Sequence, residues 1–222
     1  MAKVVKLEDF EAAVAEALRV IAGGGVVALP TETFYGLAAD PFQEKALKRL
    51  YRLKKRPEEK PILLLLGDEA QLFQVVKEVP PLARKLMRRF WPGPLTLVLP
   101  ARERLPLYLT AGTGKVAVRL TSHPVPRLLA QKYGRPLTGT SANLSGHPPA
   151  TTPNEVLAML PEVDLVLAGG SCAARAPSTI VLVTREEVRL LRAGAIPWRE
   201  IAKTLKGEEG PPRPEGGRRG PA

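Results

Sequence analysis

The chain has 222 residues, 45% of them hydrophobic and only 5% aromatic, and it carries a formal net charge of +11. That length admits one domain with a substantial core plus a short appendage, while Cys172, the single cysteine, excludes an intramolecular disulfide framework and a thiolate-rich metal site. No apolar run reaches the roughly 18 residues of a membrane span, so a cytoplasmic chain with no membrane contact and with anionic partners is expected: nucleotides, RNA or phosphorylated metabolites.

Acidic Glu8 and Asp9 precede Phe10, Val14, Leu18 and Ile21, which recur at helical spacing until Gly23 to Gly25 end the helix. Val26 to Pro30 then reads as a buried strand. It delivers the segment Thr31-Glu-Thr-Phe-Tyr-Gly36 to its carboxyl end, a usual position for ligand loops in α/β proteins. Glu44 to Lys55 reads as a helix with Ala46, Leu47 and Leu50 inward, followed by a basic turn and an apolar strand from Ile62 to Leu66. Lys54, Lys55, Arg56 and Lys60 fall within this turn, and Pro57 prevents them from sharing one solvated helix face. The planar fork of arginine and the compact charge of lysine together suit a triphosphate; an exposed charge run is the plain alternative.

Two short helices flank Pro80-Pro81, and Trp91-Pro-Gly-Pro94 breaks the pattern before strands at Leu95 to Leu99 and Val116 to Leu120. The second strand carries Arg119 in an otherwise apolar run, where a charge is costly unless it reaches water or pairs with an anion. A helix near Pro124 to Tyr133 leads into Pro136 to Gly146, PLTGTSANLSG, which gathers several hydroxyls around Asn143, one of only two asparagines. Downstream, Thr152, Pro153 and Glu155 form a capping box with proline at the first helical position. The polar loop is therefore expected at a strand-to-helix junction whose N–H groups favour phosphates and carboxylates.

Strands near Leu165, Ile180 and Val188 complete the domain. Ser178 and Thr179 open STIVLV after Pro177, either as capping groups or as contacts to a polar ligand, and Arg192 ends the run RLLR as an edge charge or an anion partner. Some strand neighbours lack room for a helical crossover, so an α/β fold with a mixed sheet is expected rather than a purely parallel one. Residues 1–205 are assigned to the domain. Residues 206–222, KGEEGPPRPEGGRRGPA, have no apolar periodicity and are expected to form a flexible tail; they carry only one net positive charge, so the basic excess belongs to the domain.

There is no GxxxxGK[ST] loop and no GxGxxG at a strand-to-helix turn. His123 and His147, each beside proline, lack metal-binding spacing and read as surface residues, and no metal site is assigned. Ser141 lies outside any GxSxG context. Chemistry at this chain would rest on positioning and charge stabilisation rather than on a covalent residue.

Taken in order, PTETFYGLAAD (30–40), KKRPEEKPILLL (54–65), WPGPLTLVL (91–99), VAVRL (116–120), TSANLSG (140–146), STIV (178–181) and LLRAG (190–194) resemble the YrdC family. The resemblance implies a single α/β domain around a twisted mixed sheet with a basic concave face. It implies synthesis of threonylcarbamoyl-AMP and pyrophosphate from L-threonine, bicarbonate and ATP, with Mg²⁺ accompanying the triphosphate. The product would pass to downstream tRNA-modification proteins that place the threonylcarbamoyl group on the adenosine beside the anticodon. By position, Lys54, Arg56, Lys60, Ser141, Asn143 and Arg192 resemble the ATP contacts; Thr31, Arg119, Thr140 and Ser178 resemble the threonine set, with Arg119 the natural partner of its carboxylate. Some relatives carry a histidine in the strand after the basic turn, where this chain has Leu63 to Leu66. A non-catalytic binder of double-stranded RNA or tRNA is the alternative from another class, and carbamoyl transfer of the hydrogenase-maturation type is a second enzymatic one.

Overall fold

A computed structural model describes residues 2–57, 59–173 and 176–207. In chain order it runs β1 (Lys3–Lys6), α1 (Phe10–Ala22), β2 (Val27–Leu29), β3 (Gly36–Ala38), α2 (Glu44–Lys54), β4 (Leu64–Leu66), α3 (Leu72–Val75), α4 (Pro81–Phe90), β5 (Leu95–Pro100) and α5 (Leu107–Thr110). It continues with β6 (Lys115–Leu120), α6 (Pro124–Tyr133), β7 (Leu137–Thr138), β8 (Thr140–Ser141), α7 (Pro153–Met159), β9 (Leu165–Ala168), β10 (Thr179–Val183), β11 (Val188–Arg192) and α8 (Trp198–Lys206). The single mixed sheet expected from the sequence is divided in two. A five-stranded sheet has the order β1-β9-β2-β3-β8, and a six-stranded sheet the order β11-β10-β5-β6-β4-β7.

Both sheets combine parallel and antiparallel pairs: β9 runs parallel to β1 and β2, whereas β3 runs antiparallel to β2 and β8. In the second sheet β10 is parallel to β5 and β4 to β6, the remaining pairs being antiparallel. Mixed pairing follows from connection length, since β2 and β3 are joined by six residues, too few for a helical crossover.

The unbroken apolar run around β2 reflects burial on both faces. Val27 and Leu29 pack into a core with Ala13, Ala17 and Ile21 of α1 and Leu129 of α6, while Val26 and Ala28 face the opposite way into the larger core. Helix α1 starts where Asp9 accepts a hydrogen bond from the Ala12 amide at 3.1 Å, which satisfies one of the otherwise unpaired first-turn donors.

The two sheets are joined by the strand pair β7–β8, which changes sheet at Gly139. A Cβ at Gly139 would stand 2.4 Å from Leu65 Cγ, so only glycine lets the backbone pass so close to β4. Thr138 secures the crossing: its hydroxyl donates to the Leu37 carbonyl at 3.0 Å and accepts from the Ala39 amide at 2.8 Å.

Helix α8 runs through Lys206, one residue past the expected end of the domain, and Gly207 closes it with φ 86°. The rest of the expected tail, 208–222, lies outside the described residues. Among the described residues no helix is long and apolar enough to cross a membrane.

Candidate functional site at the junction of the two sheets

A cavity of about 520 Å³ opens at the junction marked by Gly139, a volume suited to small molecules. Gly36, Thr140 and Ser141 line it from the five-stranded sheet; Ala117, Arg119, Ile180 and Arg192 line it from the six-stranded sheet. Thr31, Arg56 and Ser178 complete the set of expected site residues that the fold brings together, whereas Lys54, Lys60 and Asn143 do not line the cavity.

Among the described residues three guanidinium groups therefore converge on one small space, each held differently. Arg56 follows α2 in a turn closed by hydrogen bonds from the Lys55 amide to the Arg52 carbonyl and from the Arg56 amide to the Tyr51 carbonyl, with Lys55 in the left-handed region at φ 47°. Its Nε donates to the Lys60 carbonyl at 3.1 Å and its Nη2 to the Pro61 carbonyl at 2.9 Å, so the basic turn is a closed loop. Lys60 supports Arg56 through that carbonyl. Its side chain is exposed.

Arg192 donates from Nε and Nη2 to the Ser178 carbonyl, at 3.2 and 2.8 Å, and from Nη2 to Ser178 Oγ at 3.1 Å. Ser178 Oγ also shares a hydrogen bond with Thr96 Oγ1 at 2.9 Å, so this hydroxyl is already engaged in positioning Arg192. Gly194 makes the arrangement feasible: a Cβ there would lie 2.3 Å from the Pro177 carbonyl oxygen and 2.5 Å from the Ser178 carbonyl carbon. That close approach is a physical reason for glycine in LLRAG. Burial lowers the pKa of Arg192, and repulsion from Arg119 adds to the effect.

Arg119 is buried, its side chain only 4% exposed, and it faces Glu32 with Nε 3.3 Å from Oε1. Burial lowers its pKa and the neighbouring Glu32 carboxylate opposes the change. Among the described residues no protein group accepts a hydrogen bond from its two Nη amino groups. Glu32 was not singled out in the sequence, because an acidic residue in a loop carries no signal until its cationic partner is known. Charge balance offered the clue, since an arginine in the apolar strand VAVRL requires a buried counter-charge or an anionic ligand.

The small polar residues divide by what their hydroxyls already do. Thr31 donates to the Phe34 carbonyl at 2.7 Å and accepts from the Thr33 amide at 3.1 Å, shaping the loop after β2. Thr140 has no hydrogen-bonded protein partner for its hydroxyl among the described residues, leaving that group for a ligand. Ser141 Oγ donates to Asn143 Oδ1 at 2.7 Å. Asn143 and Lys54 lie behind this wall: the Lys54 ammonium donates to the Ser141 carbonyl, to the Asn143 carbonyl at 2.9 Å and to Asn143 Oδ1 at 2.8 Å. Both residues shape the loop from within.

The expected helix-end contribution is not seen. Thr152 does cap α7, accepting from the Glu155 amide at 3.2 Å, but the Glu155 carboxylate answers the Thr151 amide at 2.6 Å rather than completing a reciprocal box with Thr152. Neither threonine lines the cavity. His123 is likewise not a plain surface residue: its Nδ1 accepts from the Val125 amide at 3.3 Å and caps α6. His147 is exposed, as expected.

Leu63 supplies part of an apolar wall, in the segment after the basic turn. Among the described residues no three His, Cys, Asp or Glu side chains gather as a metal site. The arrangement is thus a small, mostly uncharged cleft armed with three guanidinium groups, suited to carboxylate and phosphate groups held side by side.

A family model named Sua5/YciO/YrdC, carrying the description "Telomere recombination", matches residues 19–194. The chain is 38% identical over 193 residues to a threonylcarbamoyl-AMP synthase of Pyrococcus abyssi, covering 85% of this chain and 57% of that protein. It is 44% identical over 158 residues to a threonylcarbamoyl-AMP synthase of Thiobacillus denitrificans, covering 71% and 84% respectively. The crystal structure of P. abyssi Sua5 complexed with L-threonine superposes with a TM-score of 0.85 at 36% identity, over 92% of this chain and 60% of that one. The chain thus spans little more than half of the P. abyssi protein.

Proposed function

The chain belongs to the Sua5/YciO/YrdC family, and on that footing we propose that it makes L-threonylcarbamoyl-AMP and pyrophosphate from L-threonine, bicarbonate and ATP. The observation that carries this reading is the convergence of Arg56, Arg119 and Arg192 with the free hydroxyl of Thr140 in one cleft of small-molecule size. A carboxylate and a polyphosphate must lie close together in this reaction. The cleft offers separate cations for each.

In the proposed reaction the amine of threonine attacks bicarbonate, releasing water and leaving a carbamate. A carbamate oxygen then attacks the α-phosphorus of ATP, a phosphorus–oxygen bond forms, and pyrophosphate leaves with the electron pair of the broken bond. Carbamates are short-lived in water, so holding one beside the α-phosphate in a partly closed cleft gains from proximity and water exclusion. Arg119 is assigned to the threonine carboxylate, with Thr140 beside it and with Thr31 and Ser178 shaping that end through the bonds described above. Arg56 and Arg192 are assigned to phosphate oxygens, where fixed positive charge offsets charge developing on the leaving group.

Ser141 lines the nucleotide end, while Lys54 and Asn143 contribute to ATP binding by holding the Ser141 loop in shape. Lys60 contributes by closing the basic turn. Mg²⁺ would arrive as part of the ATP complex, its ligands being phosphate oxygens and water. The place of action would be the cytoplasm, with tRNA-modification proteins as recipients of the adenylate. A cleft of this size favours a small-molecule reaction over a purely RNA-binding role, which would call for an extended basic surface.

The test is direct. Purified protein incubated with ATP, Mg²⁺, bicarbonate and L-threonine should release pyrophosphate only when threonine is present, with the adenylate detected by mass spectrometry. Absence of threonine-dependent pyrophosphate overturns the proposal.

A further inference from the structure

We propose that Glu32 is a positioning residue that sets specificity: its carboxylate holds the Nε edge of Arg119, so that the guanidinium presents its two Nη groups to the cleft as a fixed fork for a planar carboxylate. This deepens the function proposed above, from which it takes only the presence of a carboxylate on the substrate.

The supporting network runs through two elements. Arg119 lies near the end of β6 and Thr121 is the first residue past it, a two-residue spacing that places both on one face where the chain stays extended. Glu32 comes from the loop after β2 and reaches both. Its Oε2 accepts from Thr121 Oγ1 at 2.6 Å, and that hydroxyl oxygen is itself held by the His123 amide at 3.2 Å. With one oxygen fixed, the other is left 3.3 Å from Arg119 Nε.

Among the described residues neither Glu32 Oε1 nor Arg119 Nε has a hydrogen-bond partner of good geometry, and both atoms are buried. They are bound to each other by charge in a region that salt screens weakly. The side chain of Glu32 is 13% exposed and does not line the cleft, so it acts through Arg119 rather than on a ligand.

Two consequences follow for recognition. The ion pair restrains the inner edge of the guanidinium, and its outer edge matches two oxygens of a carboxylate in one plane. Glu32 also offsets one of the three positive charges, which reduces the pull of the cleft on compact anions that need charge but not a fork. Glu32 thereby favours a carboxylate over a free phosphate at this end of the cleft.

Full-length protein carrying Glu32→Gln or Glu32→Asp provides the test, with folding checked by thermal melting and with L-threonine and a non-hydrolysable ATP analogue titrated separately. Glu32→Gln should weaken L-threonine binding and raise its KM about tenfold, equivalent to about 1.4 kcal/mol. The expected kcat stays within about threefold and ATP-analogue affinity within about twofold, while inhibition by inorganic phosphate becomes stronger. Glu32→Asp, which keeps the charge but draws it back by one methylene, should fall between the parent and Glu32→Gln, and it decides the matter alone if Glu32→Gln does not fold.

Threonine affinity within about twofold of the parent in folded variant protein overturns the proposal, as does an equal loss of threonine and ATP-analogue affinity. Acetate and phosphate titrations of the parent read the fork independently of turnover. A protein that binds acetate through Arg119 yet makes no adenylate overturns the proposed reaction and leaves the role of Glu32 standing.

Discussion

Lys54 and Asn143 are joined twice across 89 residues of sequence, the lysine ammonium donating to the asparagine carbonyl at 2.9 Å and to its Oδ1 at 2.8 Å. The pair fastens the end of α2 to the loop carrying Ser141, so the basic turn and the hydroxyl-rich loop behave as one unit. Lys54 is only 1% exposed. Burial, reinforced by the nearby positive charge of Arg56, lowers its pKa to about 7, against the preference of its oxygen acceptors for the ammonium form.

A stability profile with a definite sign follows. In the unfolded chain Lys54 titrates near 10.4, so between about pH 7 and that value the unfolded state binds more protons and stability rises with pH. Below pH 7 both states are protonated, and the full cost of the buried charge is present. Denaturant midpoints measured from pH 6 to pH 9 should therefore increase in the parent relative to Lys54→Met, by up to about 1 kcal/mol per pH unit above pH 7. Parallel profiles would show that the acceptors hold the ammonium charged throughout.

That pairing also marks how far the sequence could be read. Lys54 and Asn143 stand out in the sequence as candidate ATP contacts, but the inward direction that takes them behind the cavity wall does not, since a lysine in a basic turn reads the same whether it points outward or inward. Strands long enough to show an apolar run, such as β5 and β6, were placed nearly to the residue. The three-residue β3 was not, because Gly36–Ala38 is too short to establish a period. Helix α8 was missed for a related reason: its nine residues turn only Ile201 and Thr204 fully inward. The division into two sheets depends on pairings between distant strands and on the crossing at Gly139, which no local pattern encodes. Glu32 belongs to the same class of features, its meaning supplied by Arg119 from 87 positions away.

Removing Arg119 alone should be more damaging than removing both members of its pair. Arg119→Met leaves the Glu32 carboxylate buried beside a methionine, a change that costs about 3–5 kcal/mol when one partner of a buried ion pair is deleted. The double substitution Glu32→Gln, Arg119→Met removes both charges and should regain much of that loss while binding threonine poorly. Chemical denaturation of the two single variants and the double variant measures the coupling. Simple additivity would mean that the pair contributes no mutual stabilisation.

Gly194→Ala should disturb the cleft without touching a ligand. The new methyl group would overlap the Pro177 carbonyl oxygen and the Ser178 backbone, and overpacking of this kind costs typically about 1–3 kcal/mol. Because Arg192 is anchored on the Ser178 carbonyl, the same displacement should weaken ATP-analogue binding several-fold. A variant with parental melting temperature and parental nucleotide affinity would show that the β11 turn yields at no cost.

Thr152→Ala separates the helix cap from the chemistry. The first turn of α7 is served by Thr152 Oγ1 accepting from the Glu155 amide, and the segment before it is held by the Glu155 carboxylate accepting from the Thr151 amide and hydroxyl. These bonds lower the Glu155 pKa, led by the Thr151 amide. Their stabilising effect is therefore present at neutral pH and is lost as acid protonates the carboxyl group. Loss of the Thr152 hydroxyl should cost about 1 kcal/mol, seen as a lower melting temperature at pH 7. Since neither Thr151 nor Thr152 lines the cleft, the kcat and the KM values for ATP and threonine should stay within about twofold of the parent, a 0.4 kcal/mol margin at most. A selective rise in the KM for ATP, with folding intact, would instead return the α7 amino terminus to the phosphate site and require the loop from Ser141 to Thr152 to close over the nucleotide.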